Sequence, residues 1–149
     1  MKRFVWRLQR VLDVKTKEEQ IKRTELFRLT EQLTAKRGEL LMRQRILQDL
    51  LEDIRQDRSP ERWSTQEFVL RRIAVDDEQI RKLREEIAAV EIRHREKTAE
   101  MLAVRRFREG LEKLRTQAKE DYIREEERLE QRDSDERATI AFTRQESAG

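Results

Sequence analysis

"SPERWSTQEF", residues 59–68, holds the only proline of the chain and one of its two tryptophans. Ser64, Thr65, Gln66 and Glu67 follow the order of a capping box, in which the Ser64 hydroxyl accepts from the Glu67 amide and the Glu67 carboxylate accepts from the Ser64 amide. Trp63 and Phe68 then take the two places of a hydrophobic staple. Pro60 removes a backbone donor and biases Ser59 away from helical angles, so a helix arriving from the N-terminal side should stop there. The segment reads as a stop, a corner and a start.

Long helices are expected on either side. Of the 149 residues, 45% are charged and 36% are hydrophobic, against roughly a quarter and nearly half in a compact domain. A thick core is therefore not expected. The 35 basic residues nearly balance the 32 acidic ones, which argues against a disordered chain and fits solvated helices. From Leu26 the positions 29, 33, 36, 40, 43, 47, 50 and 54 alternate steps of three and four, and all but Lys36 and Arg43 are large aliphatics. That is a coiled-coil seam, with Lys36 and Arg43 able to carry their charges out to water. Upstream, Leu8, Val11, Leu12, Val14 and Ile21 form a looser face whose phase slips before Leu26. Beyond the corner the stripe runs Ile73, Ile80, Leu83, Ile87, Val90, His94, Lys97, Met101 and Val104. It then takes a short step to Phe107, a stammer, and goes on through Leu111, Leu114, Ala118, Tyr122 and Leu129.

Two seams joined by a short polar corner predict an all-α fold, a long antiparallel two-helix coiled-coil hairpin with a longer second helix. The expected bounds are a helix over about 3–57, a corner over about 58–63, a helix over about 64–140 and a frayed tail over 141–149, all in one domain. The longer arm should overhang by roughly 30 Å at 1.5 Å per residue. Both termini then share one end. Residues 1–12 carry Lys2, Arg3, Arg7 and Arg10 with no acid, while residues 120–137 carry nine acids against four arginines. Such charges either attract each other weakly, as exposed groups do, or mark a docking tip.

Other chemistries find little support. Without cysteine there is no disulfide or thiolate metal site. His94, the single histidine, lies on the seam opposite the neighbourhood of Phe27 and reads as a register-setting polar residue. The pairs Glu18–Glu19 and Glu85–Glu86 are adjacent on a helix, point apart and cannot share a substrate. Gly38, Gly110 and Gly149 are isolated, so no phosphate loop is present. Interleaved charges of net +3 leave no continuous footprint for nucleic acid. No apolar run approaches the roughly 20 residues of a membrane span, and Arg7, Gln9 and Arg10 interrupt the apolar start that a secretory signal needs. A cytoplasmic, non-enzymatic protein is expected, with no cofactor or metal, no nucleic acid and no direct membrane insertion.

The two ends carry a resemblance. "FVWRLQRVLDVKTKEE", with Phe4, Trp6, Arg7, Leu8, Gln9, Val11, Leu12 and Lys15, resembles the opening of the flagellar export protein FliJ family. "EQRDSDERATIAF" is similar to that family's C-terminal pattern through Glu130, Gln131, Asp135, Glu136 and Ala138, and "RWSTQEF" resembles its corner. The resemblance covers the whole chain. It implies a component of the bacterial flagellar type III export apparatus, peripheral to the inner membrane at the flagellar base. Such a component would act as a central stalk that promotes assembly and coupling of a hexameric export ATPase. Its ring-binding tip would comprise Trp6, Arg7, Leu8, Gln9, Leu12, Gln131, Asp135, Glu136, Ala138 and Phe142. It further implies contacts with an export gate membrane protein, and with export chaperones in some members. Gate-binding members carry tyrosines near the corner on the first helix, and residues 40–54 contain none. The implied gate surface is thus reduced to Trp63 and Phe68, with Ser64 and Glu67 as the cap. A second reading stands beside this one: a coiled-coil chaperone or scaffold hairpin that binds other proteins without an ATPase.

Overall fold

The computed structural model describes residues 2–56 and 62–148, with the backbone alone over 62–65. It contains two helices, α1 (Gln9–Gln56) and α2 (Arg62–Ala148), of 48 and 87 residues. They pack antiparallel as a helical hairpin whose second helix is the longer. The chain divides into an inner unit, Gln20–Leu102, and a terminal unit made of residues 2–19 and 103–148.

In the inner unit Leu33, Leu83, Ile87 and Val90 form the buried cluster, flanked by Leu29 and Leu40. Val90 is the most enclosed residue, at 1% exposure. Each of these positions follows the three-four spacing, so one stripe per helix is removed from water and everything else stays solvated. Lys36 and Arg43 behave as expected of long charged side chains in a seam. Lys36 reaches Glu86 at 2.8 Å, and Arg43 pairs with Glu39 at 3.1 Å while donating to Gln79. His94 sits at 3.0 Å from the Thr30 hydroxyl, one turn beyond Phe27. The adjacent carboxylates do point apart: Glu85 takes Arg81 and Glu86 takes Lys36.

The terminal unit, and the first residues of α1 in the inner unit, depart from the expected stripes. Burial recurs at residue 8, just before α1, and on α1 at 12, 15, 19 and 22, so there is no slip of phase before Leu26. Lys15, Glu19 and Lys22 fill seam places, while Val11, Val14 and Ile21 stay exposed. On α2 burial passes from residue 104 to 108, 111, 115, 118 and 122. The stammer is therefore absent: Arg108 and Arg115 occupy the seam, and Phe107 and Leu114 are left 53% and 51% exposed. The physical reason is an ion pair inside the seam. Glu19, at 4% exposure, receives Arg108, which also binds Glu112 at 2.8 Å. These carboxylates hold the guanidinium above its ordinary value, with Glu19 the larger cause.

The helix limits also differ from expectation. α1 starts at Gln9 rather than near residue 3, its first turn closed by the Gln9 amide donating to the Trp6 carbonyl at 3.1 Å. Residues 2–6 are instead tied to α2. The Tyr122 hydroxyl donates to the Lys2 carbonyl, and the Phe4 ring packs on Tyr122 with centroids 5.4 Å apart. α2 starts at Arg62, two residues ahead of Ser64, and continues to Ala148 rather than fraying after residue 140. No glycine or proline interrupts it after Gly110, and the Thr139 and Thr143 hydroxyls fold back onto the carbonyls of Asp135 and Thr139. The corner proper and the Trp63 and Ser64 side chains lie outside the described residues. The Glu67 carboxylate binds Arg71 at 2.9 Å.

Candidate functional site

The N-terminal members of the expected tip belong to the framework. Leu12 is buried against α2 and Leu8 is half-buried. Gln9 bridges two elements: its amide nitrogen donates to Asp13 at 3.0 Å, and its oxygen accepts from Arg115 at 2.7 Å. Arg115 also stands 5.9 Å from the Phe4 ring, a cation–π contact. Trp6 is half-buried and supplies the carbonyl that closes the first turn. Arg7 is the exposed member of the group. Tyr122, which the sequence marked only as a seam residue, anchors this arrangement. Burial, and beside it the Glu126 carboxylate, raise its phenol above the ordinary value.

The C-terminal members stand apart from these. Every residue from 127 to 148 is exposed, so among the described residues no other element covers this part of α2. It spans roughly 30 Å at 1.5 Å per residue. Gln131, Asp135, Ala138 and Phe142 are separated by four, three and four residues and form one stripe on it. Gln131 donates to Asp135 at 3.2 Å, and Phe142 is 61% exposed at the far end of the stripe. Glu136 lies off this line, at 3.7 Å from Arg132. The two expected halves of the tip are thus not one patch. Lys2 and Phe4 meet α2 at Tyr122, and the Gln131 stripe begins nine residues further on.

Near the corner, Phe68 is exposed beside Val75 on the inner unit. Together with Arg43, Arg71 and Arg72 they line an open groove. Further along the same unit, Lys22, Glu25, Lys97 and Glu100 form an alternating network. Lys97 lies 2.7 Å from Glu25 and 3.3 Å from Glu100, and Lys22 lies 2.9 Å from Glu100. The hydrogen bond from Lys97 holds Glu25 below its ordinary value of 4.5, and Lys22 followed by Lys97 does the same for Glu100. Their folded forms release protons more readily than the unfolded chain. The stabilisation is complete above about pH 4.5 and is lost as pH falls through the lowered values. Thermal midpoints measured from pH 6 to pH 3 should therefore decline, less steeply in Lys97→Met and in high salt.

Among the described residues, no cluster has the make-up of a metal site, and no helix is long and apolar enough to cross a membrane. The site residues that sequence reasoning missed are Glu19, Arg108 and Arg115. Counting seam places backward from Leu26 in steps of four and three reaches 22, 19, 15, 12 and 8, a signal that the exposed valines obscured. Residues 3–147 match the family model described as Flagellar FliJ protein. Neither a curated protein nor a solved structure matches the chain.

Proposed function

Since the chain belongs to the FliJ family and so to flagellar protein export, we propose that it is a non-enzymatic, stalk-like factor that promotes assembly and coupling of the export ATPase. The observation that supports this reading is the uncovered helix over residues 127–148 with its Gln131, Asp135, Ala138 and Phe142 stripe. A lone helix in water gains little from its own hydrogen bonds, so a surface of this length is better served by a ring that encloses it. Gln131 and Asp135 would meet polar groups of that ring and Phe142 an apolar pocket. Leu8, Gln9 and Leu12 would hold the neighbouring α2 segment in place rather than touch the ring. Phe68 and its groove are the proposed gate contact, and export chaperones are further partners. The protein would work in the cytoplasm, peripheral to the inner membrane at the flagellar base.

Removing residues 130–149 tests the assignment. Residues 130–148 are all exposed, so the thermal midpoint should stay nearly unchanged while stimulation of the export ATPase is lost. Charge reversal at Asp135 should weaken the complex, more visibly at low salt. A truncated protein that still stimulates the ATPase normally would assign the work to another surface.

A further inference from the structure

The apolar residues displaced from the terminal seam form a surface of their own. Val11 and Val14 each precede a seam residue of α1, and Ala103, Phe107, Gly110 and Leu114 each precede one of α2. In an antiparallel pair, residues one step before the seam fall on the same side of both helices. The Lys15 ammonium, 5.2 Å from the centre of the Phe107 ring, joins the two halves. Val11 and Val14 are 40% and 56% exposed, so the stripe is open to solvent on both helices.

Two further features say what would cover it. Gly110 lies well inside α2, where glycine is disfavoured, and a Cβ there would meet nothing within 4 Å. No contact with the described residues explains it, whereas a helix crossing the stripe could approach closely there. The edges are basic: Arg10 and Lys17 stand four and three residues from Val14, and Arg106 and Lys113 stand four and three from Gly110. All four are exposed, and none makes a salt bridge with a described carboxylate. The acid that falls within the stripe, Glu18, is already taken by Lys15 at 2.9 Å.

We propose that this flank of the terminal unit binds an acidic amphipathic helix of another protein, which lays its apolar face along Val11, Val14, Phe107 and Leu114 between the two basic edges. A third helix laid over two converts an open side of the hairpin into a three-helix core, with i, i+3, i+4 anchors meeting the groove. The basic edges select for glutamate or aspartate beside those anchors and against lysine. This surface is separate from the Gln131 stripe and holds or fails independently of the ring reading.

The test is fluorescence anisotropy on the full chain with two labelled synthetic amphipathic peptides. Both carry leucines on one face, one flanked by glutamates and the other by lysines. The acidic peptide should bind at least about tenfold more tightly. Gly110→Trp, which blocks the close approach, and Arg106→Glu/Lys113→Glu, which reverses one edge, should each lose that binding. Gly110→Ala should retain it, and the reversed edge should lose the preference for the acidic peptide over the lysine one. Circular dichroism should show equal helicity for all variants. Equal binding of the two peptides, or unchanged binding by Gly110→Trp, would overturn the proposal. So would self-association of the chain that Arg106→Glu/Lys113→Glu abolishes, because it would assign the flank to a second copy.

Discussion

Val90→Asp should melt the inner unit. Val90 is 1% exposed within the Leu33, Leu83 and Ile87 cluster, where its packed neighbours are aliphatic. A carboxylate there must either stay ionised without water or take up a proton, at a cost of about 4 kcal/mol or more. Folded chains hold only about 5–15 kcal/mol in reserve, so this one change removes much of it. The thermal midpoint followed at 222 nm should fall by about 10 °C or more. Ile140→Asp is the control. Ile140 is 53% exposed on the uncovered helix, and its replacement should stay within about 0.5 kcal/mol of the parent. If the two variants melt alike, the burial assigned to Val90 is wrong.

The second large effect concerns the charged layer of the terminal unit. Arg108→Ala takes the guanidinium from a carboxylate that is 4% exposed and should cost about 2 kcal/mol. Replacing both partners by leucine removes two desolvated charges at once and adds apolar contact with the neighbouring seam. The Glu19→Leu/Arg108→Leu protein should therefore melt at or above the parent temperature. A double-mutant cycle of thermal melts reads the coupling directly. Arg108→Ala melting like the parent would reduce the pair to an ordinary surface contact.

The same ion pair explains where the fold was legible. From Leu26 to Ile54 most seam places carry leucine or isoleucine, and the hairpin could be read from spacing alone. Nearer the termini, seam places carry Lys15, Glu19, Arg108 and Arg115, while Val11, Val14, Phe107 and Leu114 lie one place aside. A reading guided by hydrophobicity follows the aliphatics and invents a slip and a stammer. Only the pairing of two helices distant in sequence reveals that Glu19 and Arg108 neutralise each other and that Arg115 meets Gln9. The start of α1 was hidden for a similar reason: its unwound opening depends on Tyr122, more than a hundred residues away. In the candidate site, the exposed C-terminal stripe was visible from the unequal helix lengths. The structural duty of Gln9 and Leu12 was not, because a residue's partner across a seam leaves no local mark.

Charged seam layers also govern which chains will zip together. Two copies aligned in parallel and in register would place Glu19 against Glu19, Arg108 against Arg108 and Lys15 against Lys15. Each such layer confines like charges at low dielectric with no counter-charge of its own, a penalty that grows with every repeat along the rod. Folding back within one chain brings Glu19 to Arg108 and Lys36 to Glu86 instead. Leucine at every layer would have stabilised both arrangements and left concentration to choose between them. The layers that weaken the seam thereby make it discriminating, favouring the fold-back of one chain over the zipping of two.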